Sequence, residues 1–145
     1  MVQLDRVTKA NIDAVLGLRV KESQKNYVSS TAVSLAQAYV SPETAFPFAV
    51  CNDGDVVGFL MMGYYEEKGY YTIWKLLIDE KYQGRGYGKK ALELGVRYLR
   101  ERFQVTKVYT GVLPENDVAK SLYKSVGFME TGLFENGMEE LCLRL

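Results

Sequence analysis

Residues 70–92 read YYTIWKLLIDEKYQGRGYGKKAL, and this stretch decides the fold. Its first ten residues are dense in β-branched and aromatic side chains, the composition of a central strand. Beyond it, Ala91, Leu92, Leu94, Gly95, Tyr98 and Leu99 put apolar residues on one helical face, with Arg and Lys on the other. Between strand and helix lies Gln83-Gly84-Arg85-Gly86-Tyr87-Gly88-Lys89. Glycines let main-chain N–H groups approach a ligand with no Cβ in the way, and a helix N-terminus adds about half a positive charge. The physical sense of such a junction is anion capture. Charge agrees, since positions 75–107 hold nine basic residues against four acidic ones. A Walker loop does not fit, because Gln83 stands where its first Gly belongs and Lys90 where Ser or Thr belongs. A dinucleotide fingerprint can be written over Gly86–Ala91, but Thr106 and Lys107 stand where its acidic ribose contact should be. A glycine-rich turn with a solvated basic face remains the plain alternative.

Outward from this centre the chain punctuates itself. Val2–Arg6 alternates like a short strand. Thr8 and Asn11 are N-cap residue types, followed by Ile12, Val15, Leu16 and Val20 at helical spacing. Ser29, Ser30 or Thr31 would cap a second helix through Leu35 and Ala38, and Pro42 and Pro47 close that region. From Phe48 the pattern turns to strand, with Asp53-Gly54 as a hairpin turn. After the central helix, Lys107–Val112 reads as a strand. A helix then starts at Asn116 or Asp117 and stops at Gly127. Two last strands meet at Asn136-Gly137. The predicted order is β-α-α-β-β-β-α-β-α-β-β, an α+β mixed sheet with about four helices, and 1–145 is expected to form a single domain.

Composition removes several function classes. Eighteen basic and eighteen acidic side chains cancel, so no whole-chain electrostatic case for nucleic acid exists. Histidine is absent, which excludes imidazole bases and His-based metal sites. Cys51 and Cys142 lack metal or disulfide spacing, so no metal is expected. No apolar run approaches the ~18 to 20 residues of a membrane span, and the first residues lack a signal-peptide core. A cytoplasmic protein without a membrane partner is the expectation.

Two blocks carry a family resemblance. The segment Gln83-Gly84-Arg85-Gly86-Tyr87-Gly88 matches the Q/R-x-x-G-x-G/A motif of the GNAT superfamily of N-acetyltransferases. The strand ending LLID precedes it, and VYTGVLPEN with AKSLYKSVGF follows at that family's separation. The likeness runs from about Phe48 to the C-terminus. Within the family, NYVSS, FPFAV, YQGRGYGKKAL and ENGMEE resemble the bacterial diamine/spermidine acetyltransferase branch.

The resemblance implies a mostly antiparallel sheet in which two central parallel strands splay apart, here Trp74–Ile78 and Lys107–Val112, to hold acetyl-CoA. Main-chain groups of Leu76, Leu77 and Ile78 would bond the pantetheine and polarise the thioester. The N–H groups of Arg85, Gly86, Tyr87, Gly88 and Lys89 would hold the pyrophosphate, with Gln83 and Gly84 shaping the turn. Asn116 would bond the pantetheine, and Ala119 and Leu122 would line its far side. Tyr123 matches the general acid that protonates the departing sulfur. A phenol near pKa ~10 does this without prior ionisation.

The base is open. Some polyamine acetyltransferases carry a Glu where Trp74 stands here, and Glu22, Glu66 and Glu67 are candidates for that role or for cation recognition. Trp74, Tyr64 and Tyr65 would face an alkylammonium by cation–π contact, or else pack across the hairpin. The expected activity is acetyl transfer to the primary amine of a small molecule such as spermidine or spermine. A non-catalytic coenzyme A sensor and a protein N-terminal acetyltransferase are the alternatives. The final hairpin leaves sheet edges of the kind that pair between subunits in a homodimer.

Overall fold

The computed structural model describes residues 1–25, 27 and 30–145. The strands are β1 (Val2–Arg6), β2 (Ala45–Asn52), β3 (Asp55–Tyr65), β4 (Tyr70–Ile78), β5 (Lys107–Val112), β6 (Met129–Glu135) and β7 (Met138–Arg144). The helices are α1 (Ile12–Leu16), α2 (Thr31–Val40), α3 (Tyr87–Phe103) and α4 (Asp117–Val126), with 3-10 turns at Glu22–Gln24 and Glu80–Tyr82. This is the α+β order read from the sequence. The seven strands form one sheet, β1-β2-β3-β4-β5-β7-β6. Every pairing is antiparallel except β4 with β5.

That parallel pair is joined at only two positions, Thr72 with Tyr109 and Ile73 with Thr110. The cause lies on the other side of β4. Met61 pairs with Lys75 and Met62 with Ile73, so Trp74 is an extra residue bulged from the β3 ladder. A bulge bends and twists its strand, and just past this one β4 parts from β5. Trp74–Ile78 therefore has no β5 partner, as a splayed pair requires.

Strand β3 anchors both layers, because alternate side chains leave opposite faces. Leu60 and Met62 join the cluster that α3 packs with Ala91, Leu92, Val96 and Leu99. Phe59 and Met61 join a second cluster with Val15 of α1 and Ala38 of α2. Each such fully buried side chain contributes roughly 1.5–3 kcal/mol of transfer free energy, so β3 is the spine of the molecule.

Three local expectations are corrected. Helix α1 ends at Leu16 and does not reach Val20. Gly17 closes it, and Asp79 and Glu80 then hold Arg19: Arg19 N donates to Asp79 Oδ2 at 3.0 Å, and Glu80 N donates to Arg19 O at 2.7 Å. Asn11 stands at the N-cap of α1, but its Oδ1 accepts from Thr8 N instead of capping the helix. Pro47 lies inside β2, which starts at Ala45. It is tolerated because the last β1 pair is Arg6 with Phe48, so β2 is an edge at Pro47. For α2 the cap is Ser30, whose Oγ accepts from Val33 N at 3.2 Å. Ser29, and Asn26, Val28 and Ser29 of the NYVSS stretch, lie outside the described residues. Among the described residues no helix is long and apolar enough to cross a membrane.

Candidate active site

Two grooves flank the fork where β4 leaves β5. The first is a cavity of about 290 Å³ lined by Leu76, Leu77 and Ile78, by Gln83, Gly84 and Gly86–Lys89, and by Asn116, Ala119 and Leu122. Gly84 and Gly86 have φ of +79° and +83°, a left-handed conformation open to glycine and strained for branched residues. These turns swing the chain into α3, whose first N–H groups have no carbonyl of their own helix to meet. Gln83 fixes the loop, since its Nε2 donates to Ile78 O and to Gln24 Oε1, both at 2.9 Å. Gln24 Nε2 donates back to Gln83 Oε1 at 3.3 Å. The amide pair ties the segment after α1 to the rim of this groove.

The backbone of β4 presents its edge to the groove by alternation. Asp79 N donates to Val57 O of β3, whereas Ile78 O turns the other way to Gln83. The N–H and C=O of Leu76 and Ile78 consequently face the fork, and those of Leu77 face β3. Leu77 was expected to contribute main-chain bonds, and this alternation corrects that; it lines the groove without offering them. Asn116 caps α4, its Oδ1 accepting from Ala119 N at 3.3 Å. The Arg85 side chain does not line the groove, and its Nη2 donates to Lys81 O at 3.3 Å.

Tyr123 stands behind the fork. It is buried, lines neither groove, meets the Phe128 ring edge-on at 5.3 Å, and lies beside the Thr110 side chain. Burial pushes its phenol pKa up, eased by the neighbouring Thr110 side chain. Thr110 belongs to the last pair before the strands part, and its Oγ1 donates to Ile73 O at 2.9 Å. The phenol thus lies beside the residue at which the sheet splits.

The second groove, about 200 Å³, opens on the other side of the fork and is lined by Tyr65, Tyr70, Trp74, Thr110, Glu135 and Glu140 among others. Its carboxylates are ordered by hydroxyls. Tyr65 Oη donates to Glu135 Oε1 at 2.9 Å, Tyr70 Oη to Glu140 Oε2 at 2.8 Å, and Thr131 Oγ1 to Glu140 Oε1 at 2.9 Å. The Glu135 carboxyl is held below the usual range by Lys68 and Tyr65. Burial works against ionised Glu140, but Tyr70, Thr131 and Lys68 outweigh it and hold its carboxyl low as well. Carboxylates held low are anionic anchors and poor bases. Trp74 reaches this groove because Gly63 leaves room beneath it; a Cβ at Gly63 would lie 2.0 Å from the indole.

The description "Acetyltransferase (GNAT) family" matches residues 13–128. The spermine/spermidine N(1)-acetyltransferase of Bacillus subtilis is 32% identical over 99% of this chain and 97% of its own. The chain belongs to the acetyltransferase (GNAT) family. It is an N-acetyltransferase that uses acetyl-CoA. The same fold is seen in spermidine N-acetyltransferase from Vibrio cholerae in complex with CoA and spermine, at TM-score 0.77, 17% identity, and 99% and 95% coverage of the two chains. It is also seen in aminoglycoside acetyltransferase AAC(6')-Ib with coenzyme A, at TM-score 0.78, 18% identity, and 99% and 95% coverage.

In this acetyltransferase two of the three side chains expected to contact the acceptor do not line the second groove. Glu22 is exposed in its 3-10 turn, paired with Lys25 at 2.9 Å. Tyr64 lies on the face opposite Tyr65, by strand alternation, and packs on Tyr71 at 4.9 Å between ring centroids. Trp74 does line the second groove. Glu135, Glu140 and Tyr70 were not anticipated as site residues. The only sequence signal was the acidic pair flanking the Asn136-Gly137 turn in ENGMEE.

Proposed function

We propose that this acetyltransferase acts on polyamines, with the cofactor in the first groove, the acceptor in the second, and Tyr123 between them. The observation that carries it is the Glu135–Glu140 carboxylate pair beside the fork, with Tyr65, Tyr70 and Trp74 around it. Anionic oxygens and aromatic faces are the chemistry that receives an alkylammonium. The acceptor class named for the Bacillus subtilis relative agrees.

Acetyl-CoA supplies the acetyl group as a thioester. The donor set of the first groove suits it: unpaired N–H groups at the start of α3 for pyrophosphate, and an unladdered strand edge for an amide-bearing arm. In this reading the N–H groups of Arg85–Lys89 bind the pyrophosphate. Leu76 and Ile78 orient the pantetheine along β4. Asn116 donates from Nδ2, its Oδ1 being engaged on Ala119 N. As the amine nitrogen bonds the acetyl carbon and the carbon–sulfur bond breaks, Tyr123 would give its Oη proton to the sulfur, and the proton shed by the nitrogen would restore the phenol. Its raised pKa keeps that proton in place across the working range.

At neutral pH an amine of pKa ~10.4 is about 0.04% free base. Glu135 and Glu140 seat the ammonium that does not react, and the reacting amine enters as the free base. The protein works in the cytoplasm without nucleic-acid or membrane partners. A second copy would cover the exposed Met129, Leu133 and Phe134 of edge strand β6.

Thiol release from acetyl-CoA across a panel of spermidine, spermine, an alkyl monoamine and an N-terminal peptide tests the assignment. Release with the polyamines and little with the others is expected. Coenzyme A binding without transfer to any amine would favour a sensor, and preference for the peptide would favour an N-terminal acetyltransferase.

A further inference from the structure

The second groove already holds a cation against its carboxylates, and that cation belongs to the chain. Lys68 projects from the β3–β4 turn, where Lys68 N and Gly69 N both donate to Tyr65 O. Its Nζ lies 2.7 Å from Glu135 Oε2 and 3.3 Å from Glu140 Oε2. It is not part of the groove wall, so it approaches the carboxylates from the turn side while they face the groove. The Lys68 side chain is 28% exposed, against 11% for Glu140, so the lysine is the partner nearer to water.

Two features make this more than a surface ion pair. A lysine ammonium on four methylenes is the same chemical group as the aminobutyl end of spermidine. The Glu140 carboxylate is also nearly committed, with Tyr70, Thr131 and Lys68 on it, while Glu135 takes Tyr65 and the same Lys68. A carboxylate offers about four lone-pair sites, so an entering ammonium contends with Lys68 for the best of them. With Lys68 in place the cluster carries one negative charge; with Lys68 withdrawn it carries two.

Resting on the polyamine reading above, we propose that Lys68 is a built-in competitor of the acceptor, held between Glu135 and Glu140 and displaced when a polycation binds. Lys68 thereby sets how many positive charges an acceptor needs to bind well. It is a specificity determinant and touches no reacting atom.

The test is the acceptor KM of Lys68→Met and Lys68→Arg against the unaltered enzyme, with diaminobutane, spermidine and spermine. Lys68→Met is expected to lower the spermine KM by roughly fivefold or more, with a smaller gain for diaminobutane, and Lys68→Arg to restore the original order. A gain that grows with acceptor charge is what a merely structural lysine would not produce. Equal KM values, or a rise for every acceptor, would overturn the proposal while leaving polyamine acetylation by the unaltered enzyme intact. No polyamine turnover by the unaltered enzyme would instead reject the parent reading. Should Lys68→Met not fold, the unaltered protein carrying 13C-labelled lysine answers alone. Spermine should move the Lys68 side-chain signal, assigned by its loss in Lys68→Arg, and an unmoved signal at saturating spermine would overturn the proposal.

Discussion

The groove around Gly84–Lys89 offers mostly main-chain groups: an unladdered strand edge, two left-handed glycines and the open start of α3, all within residues 76–89, with Val20, Gln24 and the α4 residues Ala119 and Leu122 closing its walls. The groove around Glu135 and Glu140 is made of side chains, brought from the β3–β4 and β6–β7 hairpins some 70 positions apart. A main-chain site constrains its own sequence, since only certain residues allow that path. A side-chain site needs only that two distant hairpins end at the same place, and many residue choices allow it. The contrast suits an enzyme family with one shared cosubstrate and varied acceptors.

The largest effect should come from the proposed acid behind the fork. Tyr123→Phe is expected to lower turnover by about 10²-fold or more while coenzyme A affinity by calorimetry stays put. Unchanged turnover would remove the phenol from proton delivery. Next, Gly86→Val forces a branched residue to φ near +83°, which costs about 1–2 kcal/mol. It should weaken coenzyme A binding about tenfold and leave the spermidine KM alone. Loss of both together would mean that the grooves are not separable.

Acid and base should act on different sides. The Glu135 and Glu140 carboxyls are lowered, so their folded-state contribution is present above the ordinary carboxylate range and is lost only as pH falls through their lowered values. Acceptor binding should therefore persist to a pH below the ordinary carboxylate range. The acceptor kcat/KM should climb with pH toward the amine pKa near ~10, with no inflection near 6.5, because the chain has no histidine. The raised Tyr123 pKa puts loss of the acid above that range. A bell-shaped profile centred near neutrality would contradict free-base entry. The smallest effect is expected from Gly63→Ala, whose Cβ must push the indole of Trp74 aside. It should shift preference among polyamines by a few-fold, roughly 1 kcal/mol, and leave the cofactor KM in place.

What could be read from the sequence follows the same division. The glycine loop, the Asn116 cap, the Gly127 stop and the Asn136-Gly137 turn were legible because each residue type is demanded by its local backbone path. The bulge at Trp74 was not, since an extra residue in a ladder exists only relative to β3. Tyr64 and Tyr65 look equivalent as neighbours in sequence. Alternation sends one to Tyr71 and the other to Glu135, and the phase of that alternation is set by the register with β4. Glu22 was a candidate and Glu135 was not, because only the pairing of β7 with β5 brings the last hairpin back to the fork.

Steady-state kinetics of Glu140→Gln with both substrates varied puts this division to the most direct test. The spermidine KM should rise about tenfold while the acetyl-CoA KM moves less than about twofold. An equal rise in both, or no rise in either, would contradict an acceptor seat separate from the main-chain groove.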